Sequence, residues 1–318
     1  MATDKKDLRQ AIGNALARIR TCRRAVQHNK HNPTMEAKEQ LLTVAVNAAV
    51  AAGGEIMTVY NDPEQDFGIE IKADNSPLTK ADKRSDKVIA AALKPTGIAI
   101  LSEESAHAPY EQRHNWKDKW IVDPLDGTKE FIKKNGDFTV NIALAEDGTP
   151  VLGVIYVPAT QELYWGLCGN GAGKLTGVDS TMRFADMAAV RSASAMLPVV
   201  EHRDVFTVVA SRSHLNDETR AYIEQLQATH GHTDTLSRGS SLKLCMVAEG
   251  RADVYPRFAP TMEWDTAAGH AIATAAGCEV VRADDGTPLT YNKPDLHNPW
   301  FIVRRKQADN ITPTADEL

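Results

Sequence analysis

The sequence predicts a mixed α/β fold, with an α+β N-terminal half and an α/β C-terminal half. Hairpin signatures beside helical patterns favour an antiparallel sheet in the first half, whereas strands and helices alternate in the second. With 42% hydrophobic and 25% charged residues, the 318-residue chain has the composition of an average globular protein. This composition excludes wholesale disorder, collagen and coiled coils.

Four segments are predicted along the chain. They are a basic amphipathic extension over 1–33, an α+β half over 34–195, an α/β half over 196–306 and a flexible tail over 307–318. Residues 1–33 hold eight basic and two acidic residues, so they carry +6 while the remainder carries −12. We expect this arm to dock on the acidic body as an extra helix; insertion at an anionic membrane surface is the alternative.

Composition excludes several classes of protein. The four cysteines are far apart and form no C-x-x-C pair, which indicates reduced thiols. No apolar run approaches the ~20 residues of a membrane span, and the N-terminus lacks a signal-peptide pattern. The net charge of −6 lacks the basic excess of a nucleic-acid binder. We therefore expect a cytoplasmic protein, with peripheral contact at the cytoplasmic face of the inner membrane as the alternative. We also expect a monomer or a weak homodimer.

Periodicity and turn chemistry locate the elements of the first half. Hydrophobic periodicity favours helices over 35–60 and 80–94, the second stopped by Pro95. Asp147-Gly148 is a two-residue hairpin signature between two apolar runs. The predicted strands lie at 69–71, 97–101, 120–122, 138–146, 151–157 and 162–167.

In the second half, short apolar runs alternate with amphipathic stretches. Strands are predicted at 206–210, 233–236 and 252–255, helices at 216–229, 240–250 and 265–276, and two final strands around an Asp285-Gly286 turn. Such alternation is typical of an α/β unit.

The run Asp-Pro-Leu-Asp-Gly-Thr at 123–128 directly follows a buried strand. Its proline keeps Asp123 extended, and a helix can begin at Gly127 with Asp126 near its N-cap. Two carboxylates and the intervening leucine carbonyl then lie close together, beside the amides of Gly127 and Thr128 at a helix N-terminus. Oxygen ligands beside an anion site suit Mg²⁺ and a phosphate; a capped strand-to-helix turn is the structural alternative.

Three further acidic features are ordinary when taken singly. Glu103-Glu104 ends a second buried strand, where exposed loop glutamates are the default interpretation. Asp265 begins a helix of small residues that can approach the sheet closely, and capping is the usual role of such an aspartate. Asp82 lies in the first turn of helix 80–94, after a loop with Asx and proline turn chemistry.

In this order and spacing, the four features together resemble the inositol monophosphatase superfamily of Mg²⁺-dependent, lithium-sensitive phosphatases. Its signatures are Glu-Glu at a strand end, Asp-Pro-[Leu/Ile]-Asp-Gly-[Ser/Thr] and Trp-Asp-x-x-[Ala/Gly]-Gly, all present within residues 36–305. The runs at 125–132, 211–214, 239–243 and 252–258 are most similar to bacterial 3′(2′),5′-bisphosphate nucleotidases of the CysQ type. The resemblance implies a layered α-β-α-β-α sugar-phosphatase architecture.

The resemblance also implies roles for individual residues. The half over 34–195 would bind metal, and the half over 196–306 would bind substrate. Two tightly bound Mg²⁺ ions and a looser third would be held by Glu103, Asp123, Asp126, Asp265, the Leu125 carbonyl and Asp82. Asp82 and Thr128 would position and activate the attacking water. Substrate contacts would come from Glu103, Leu125, Asp126, Gly127, Thr128, His214, Ser240, Lys243, Arg257 and Asp265.

The implied reaction removes the 3′-phosphate of 3′-phosphoadenosine 5′-phosphate, or of its 5′-phosphosulfate form, by in-line attack of metal-activated water. Such an enzyme serves sulfur assimilation and nucleotide recycling, with a small bisphosphorylated nucleotide as its partner. Lys243 suits the second phosphate as a point charge and Arg257 as a two-pronged contact. Two alternatives stay open: an inositol or sugar phosphatase of the same superfamily, and a non-catalytic phosphonucleotide or metal sensor.

Overall fold

The computed structural model describes residues 34–64, 66–72, 76–105, 108–210 and 216–306. The predicted extension 1–33, the predicted tail 307–318 and His214 lie outside the described residues. In these ranges the helices are α1 (Met35–Tyr60), α2 (Lys80–Leu93), α3 (Tyr110–Arg113), α4 (Thr128–Ile132), α5 (Met187–Ser192), α6 (Asp217–His230), α7 (Leu242–Ala248) and α8 (Glu263–Ala275). The strands are β1 (Glu70–Ile71), β2 (Pro77–Leu78), β3 (Ala99–Ser102), β4 (Asp118–Asp126), β5 (Thr139–Glu146), β6 (Thr149–Val157), β7 (Glu162–Leu167), β8 (Gly171–Leu175), β9 (Ala195–Met196), β10 (Phe206–Ala210), β11 (Thr233–Ser237), β12 (Val254–Arg257), β13 (Cys278–Arg282) and β14 (Phe301–Arg305).

These elements stack in five alternating layers of helix and sheet. Helices α1 and α2 cover one face of a seven-stranded sheet, and α7 and α8 separate its other face from a five-stranded sheet that α6 covers on the outside. Alternate side chains of β4 serve both cores: Trp120 and Val122 pack with α1, whereas Ile121 packs with α8. The layered architecture that the family resemblance implies is confirmed.

The seven-stranded sheet has the order β3-β4-β5-β6-β7-β8-β9, antiparallel except between β3 and β4. Asp147 and Gly148 both have positive φ, 45° and 80°, which the type I′ turn between β5 and β6 requires. The predicted first-half helices and strands are confirmed, although β1 pairs only with β2 outside this sheet. Five described elements of this half, β2, α3, β8, α5 and β9, were not predicted.

The five-stranded sheet has the order β11-β10-β12-β14-β13, with β10 parallel to both neighbours and the other pairs antiparallel. The succession β10-α6-β11-α7-β12 is the predicted α/β alternation. The turn at Asp285-Gly286 follows β13, but the last strand begins only at Phe301. Residues before that strand return to the first turn of α8, where Glu263 accepts hydrogen bonds from the amides of Asn292 and Lys293.

Helix α8 approaches the seven-stranded sheet closely, as its small residues predict. A Cβ atom on Gly153 of β6 would lie 2.3 Å from the Ala268 carbonyl oxygen. One on Gly166 of β7 would lie 2.6 Å from the Ile272 Cα atom. Neither distance leaves room for a side chain, so glycine at both positions allows the helix to lie against β6 and β7.

Two expectations about the run at 123–128 need correction. Strand β4 continues through Pro124 to Asp126, with a register shift between Asp123 and Asp126, instead of ending near Val122. Helix α4 begins at Thr128 and its N-cap is Gly127, with a φ of 95°. Asp126 therefore ends a strand and does not cap the helix. Since a positive φ favours glycine, Gly127 supplies the sharp turn between the two elements.

By length and composition α1 could span a membrane, which corrects the expectation that no apolar run is long enough. Its 18-residue window has a mean hydropathy of 1.5, and 56% of that window is buried inside the structure. Leu41, Leu42, Val46 and Val50 belong to the core beneath the seven-stranded sheet. The apolar composition of α1 is thus accounted for by its position as a core helix.

Candidate active site

The end of β4 carries two carboxylates into the site. Asp123 is 1% exposed, and its Oδ1 accepts a hydrogen bond from the Leu125 amide at 3.0 Å. The Ser85 hydroxyl of α2 donates to the Pro124 carbonyl oxygen at 2.6 Å. The turn that separates Asp123 from Asp126 is therefore held both from within and by α2.

Asp82 and Thr128 meet although they lie on different helices. At the start of α2, the amide and the hydroxyl of Thr79 donate to Asp82 Oδ2 at 2.8 and 2.5 Å, a capping box. Asp82 Oδ1 is 3.1 Å from the Thr128 hydroxyl, which also lies 3.3 Å from the Leu125 carbonyl oxygen. Asp82 is 1% exposed, and burial raises its pKa above the ordinary value.

Glu103 and Glu104 share a cation that sequence analysis did not identify. Lys72 Nζ lies 2.8 Å from Glu103 Oε1 and 2.5 Å from Glu104 Oε1. Burial raises the pKa of Glu104 to about 7, although the hydrogen bond from Lys72 opposes the rise. The positive partner that adjacent carboxylates require is thus supplied by the lysine that follows β1.

Asp265 lies in the first turn of α8 but not at the cap position. The N-cap residue is Met262, whose amide donates to Asp265 Oδ2 at 2.9 Å. The expectation that Asp265 itself caps the helix is wrong, because it is the third helical residue and satisfies the cap amide from inside. Burial raises the pKa of Asp265 to about 8, and the negative charge of Asp126 adds to the rise.

Glu103, Asp123, Asp126 and Asp265 form one acidic cluster. Burial raises the pKa of Asp123 well above its usual range, and the charges of the other three members raise it further. Oxygen ligands under mutual repulsion fit a hard divalent cation such as Mg²⁺. No three such side chains in the described ranges converge on a ready-made metal position. Lys72 contacts Oε1 of Glu103, so a cation that binds Glu103 would meet the positive charge of this lysine close by.

A cavity of about 360 Å³ opens beside the acidic cluster. Six predicted site residues line it: Asp126, Gly127, Ser240, Lys243, Arg257 and Asp265. The other predicted site residues that the structure describes do not line the cavity. They adjoin the turn at the end of β4 and are Asp82, Glu103, Asp123, Leu125 and Thr128. The predicted site residues that the structure describes therefore belong to one continuous region, formed by both halves of the chain.

Lys243 is a buried cation in the cavity wall. Its side chain donates to the Ser240 carbonyl oxygen at 2.6 Å and lies 5.6 Å from the centroid of the Tyr255 ring. Burial lowers the pKa of Lys243 to about 8, while the negative charge of Asp126 opposes the shift. An anion that enters the cavity would stabilise the charged form of Lys243 and so raise its pKa.

Arg257 lines the same cavity with part of its hydrogen-bonding capacity unused. Its Nη2 donates to the Pro260 carbonyl oxygen at 3.0 Å. Its Nε is buried and has no hydrogen-bond partner among the residues that the structure describes. Leaving a buried guanidinium N–H unpaired costs free energy, which an anionic ligand with oxygen acceptors would recover.

Three residues that hold the cavity wall were missed by sequence analysis. Asp137 accepts hydrogen bonds from the Gly239 amide at 3.0 Å and from Arg238 at 3.1 Å. Thr139 and Asn141 of β5 contact the loop before α7. The partners of these three residues in the loop 238–241 lie at least 100 positions away along the chain, so no local pattern distinguishes them from ordinary turn and strand residues.

Comparison with known proteins relates this site to a family. A model of the inositol monophosphatase family matches residues 37–317. The 3′(2′),5′-bisphosphate nucleotidase CysQ of Salmonella typhimurium is 47% identical over 268 residues, which cover 83% of this chain and 98% of that protein. The protein of the same name from Escherichia coli strain K12 is 45% identical over 255 residues, covering 79% of this chain and 94% of that protein.

Solved structures extend the comparison. The crystal structure of CysQ from Bacteroides thetaiotaomicron matches with a TM-score of 0.78 at 52% identity, covering 85% of this chain and 98% of that one. The inositol monophosphatase from Anabaena matches with a TM-score of 0.58 at 26% identity, covering 83% and 90% of the two chains. The match to CysQ is thus the nearer of these two in both sequence and structure.

Proposed function

Because the chain belongs to the inositol monophosphatase family, we propose that it is a 3′(2′),5′-bisphosphate nucleotidase acting on 3′-phosphoadenosine 5′-phosphate. This phosphoric monoester hydrolase would release the 3′-phosphate and leave AMP. The Salmonella typhimurium and Escherichia coli proteins of this name are 47% and 45% identical to the chain, whereas the Anabaena inositol monophosphatase is 26% identical. With the 5′-phosphosulfate form, the same reaction would yield adenosine 5′-phosphosulfate, which connects the enzyme with sulfur assimilation.

One observation carries the choice of a bisphosphorylated substrate: a buried lysine and an unsatisfied arginine face the same cavity as the acidic cluster. The cluster, once neutralised by cations, suits the phosphate that reacts. Lys243 and the free Nε of Arg257 suit a second phosphate. A substrate with one phosphate would leave the buried Lys243 ammonium and the buried Arg257 Nε unmatched, which is costly in a low-dielectric cavity.

Mg²⁺ is the proposed cofactor, because the donor set consists of carboxylate and carbonyl oxygens. Its ligands would be Glu103, Asp123, Asp126, Asp265 and the Leu125 carbonyl, with Asp82 serving a looser third ion beside two tightly held ones. When bound, the ions would lower the pKa of a water molecule and neutralise the charge of the phosphate. Li⁺ is expected to inhibit by competing for one of these positions.

Asp82 and Thr128 would orient the attacking water. The Thr128 hydroxyl can give its single proton to Asp82 Oδ1, at 3.1 Å, which leaves the hydroxyl oxygen free to accept a hydrogen bond from water. Burial raises the pKa of Asp82 and so makes its carboxylate a better proton acceptor than an exposed one. The amides of Gly127 and Thr128 would contact the scissile phosphate, and Ser240 and His214 the rest of the nucleotide.

We also propose that the enzyme works in the bacterial cytoplasm as a monomer or weak homodimer, with a small nucleotide as its partner. The named relatives come from bacteria, and α1, the described helix that is apolar enough to span a membrane, is packed in the core. Any contact of residues 1–33 with the inner membrane would be peripheral.

A phosphate-release assay tests the proposed function. Equal concentrations of 3′-phosphoadenosine 5′-phosphate, inositol 1-phosphate and fructose 1,6-bisphosphate are compared, each with Mg²⁺ and with a chelator. We expect Mg²⁺-dependent release, at least tenfold faster in kcat/KM for the nucleotide. Faster release from inositol 1-phosphate or the sugar bisphosphate would instead favour another phosphatase of the superfamily. Nucleotide binding without release would indicate a sensor.

A further inference from the structure

The two oxygens of the Asp126 carboxylate have different surroundings. Oδ2 accepts hydrogen bonds from the Ser240 hydroxyl at 2.6 Å, the Ser241 amide at 2.7 Å and Asn141 Nδ2 at 3.4 Å. Oδ1 has no hydrogen-bond partner among the residues that the structure describes. One oxygen is therefore committed to the loop before α7, and the other remains available to a cation.

Asn141 is held in a single orientation by hydroxyl groups on its other side. Its Oδ1 accepts from the Ser241 hydroxyl at 2.9 Å and from the Thr139 hydroxyl at 3.0 Å. A carboxylate only accepts hydrogen bonds, so the NH₂ group faces Asp126 and the carboxamide oxygen faces the two hydroxyls. The Thr139 hydroxyl also lies 2.7 Å from the Ser240 hydroxyl and 2.9 Å from that of Ser241. Asn141, Thr139 and Ser241 are 1%, 0% and 2% exposed, so water does not compete for these bonds.

The register of the sheet brings this group together. On β5, Asn141 is paired with Asp123 and Thr139 with Asp126 of β4, on either side of the register shift in that strand. The side chains of Asn141 and Thr139 therefore lie on the same face of the sheet as the carboxylates of Asp123 and Asp126. Ser241 joins from the other half of the chain.

We propose that Asn141, oriented by Thr139 and Ser241, is a positioning residue that holds Asp126 with Oδ1 free for the metal. Without the carboxamide, Asp126 Oδ2 keeps only its bonds to Ser240 and Ser241, and the loop that supplies them loses its own anchor, the bond from the Ser241 hydroxyl to Asn141. Repulsion from Asp123 and Asp265 would then favour rotation of the Asp126 side chain. A partner that orients a metal-binding carboxylate typically contributes ~10- to 100-fold to metal affinity. The inference rests on the proposed metal dependence and concerns no direct contact between Asn141 and substrate.

The test is Mg²⁺ affinity, measured by titration calorimetry without nucleotide. Asn141→Leu keeps the size of the side chain and removes its hydrogen bonds, so we expect Mg²⁺ affinity to fall roughly 10- to 100-fold. Asn47→Leu is the matched control, because Asn47 also makes two hydrogen bonds, both to the backbone of Phe184, away from the cavity. It should lower the unfolding temperature and leave Mg²⁺ affinity within about twofold of wild type. Wild-type Mg²⁺ affinity in Asn141→Leu would overturn the proposal.

A second pair of variants keeps the proposal testable should Asn141→Leu fail to fold. Thr139→Val removes the hydroxyl that orients Asn141, whereas Thr139→Ser retains it. We expect weaker Mg²⁺ binding in the valine variant, by about tenfold, and recovery in the serine variant; equal affinities would refute the positioning role. Wild-type protein that binds Mg²⁺ but releases no phosphate would contradict the proposed function alone. Wild-type protein that binds no Mg²⁺ would overturn both.

Discussion

The hydroxyl of Thr128 lies 3.1 Å from Oδ1 of Asp82, although 46 positions separate the two residues in sequence. Each carboxylate oxygen of Asp82 has its own partner, since Oδ2 takes both hydrogen bonds from Thr79. The capping box thereby fixes the side chain of Asp82 and aims its second oxygen at α4. A local helix-capping motif and a long-range contact together position the proposed catalytic pair.

Thr128→Ala is expected to lower kcat for 3′-phosphoadenosine 5′-phosphate by roughly 10²–10⁴-fold and to leave KM largely unchanged. The reason is that orientation of water is needed in the transition state and not for substrate binding. Steady-state kinetics measure both constants. Thr128→Ser, which retains the hydroxyl, should keep most of the rate. A raised KM with unchanged kcat would assign Thr128 to substrate binding instead.

Asp123→Asn should raise the unfolding temperature of the metal-free protein and abolish the further rise that Mg²⁺ produces. Burial and three neighbouring carboxylates raise the pKa of Asp123, so the folded state holds a proton that the unfolded state releases above about pH 4. The contribution of Asp123 to the stability of the metal-free wild type must therefore fall as pH rises above about 4, and the variant lacks this loss.

Thermal unfolding in a chelator, at pH 5 and pH 8, measures this difference. The asparagine variant should also be inactive, because it lacks a proposed metal ligand. Full activity together with an unchanged response to Mg²⁺ would show that Asp123 holds no metal.

Local chemistry explains which parts of the structure were predictable. The Asp147-Gly148 turn and the Thr79–Asp82 cap involve residues at most three positions apart, so the sequence pattern contains the whole interaction. The acidic cluster could be anticipated only through the family signatures. Taken singly, each of its members has an ordinary structural role, and Asp265 and Asp126 differ from their predicted cap positions.

Contacts between distant segments account for what was missed. The pair of Lys72 with Glu103 spans 31 positions, and nothing near either residue marks the other. Strand β8 contains two glycines, which weaken a strand pattern. It is a strand because it pairs with β7, where a Cβ atom on Gly173 would lie 2.7 Å from the Trp165 Nε1 atom. Tertiary packing therefore makes this segment a strand, although its glycines have low strand propensity.

Lys243→Ala should raise KM for 3′-phosphoadenosine 5′-phosphate far more than KM for 3′-AMP. Only the first substrate has a 5′-phosphate for the buried ammonium, and a hydrogen bond to a charged group is worth ~1.5–3 kcal/mol. We expect a loss of roughly ten- to a hundredfold with the bisphosphate. Lys129→Ala is the control, because Lys129 is exposed and does not line the cavity. Equal losses on the two substrates would place Lys243 away from the 5′-phosphate.

The pH dependence of substrate binding should reveal the same lysine. Burial lowers the pKa of Lys243 to about 8, so the empty enzyme loses this proton more than two pH units below an ordinary lysine. Only the ammonium form attracts the 5′-phosphate, and KM for 3′-phosphoadenosine 5′-phosphate should therefore rise between about pH 8 and 9.5. The rise approaches tenfold per pH unit well above the pKa, while KM for 3′-AMP should show no such rise.

Lys243→Arg provides the comparison, because guanidinium stays charged throughout and should flatten the profile. Parallel KM profiles for both substrates in the wild type would contradict the assignment of Lys243 to the second phosphate.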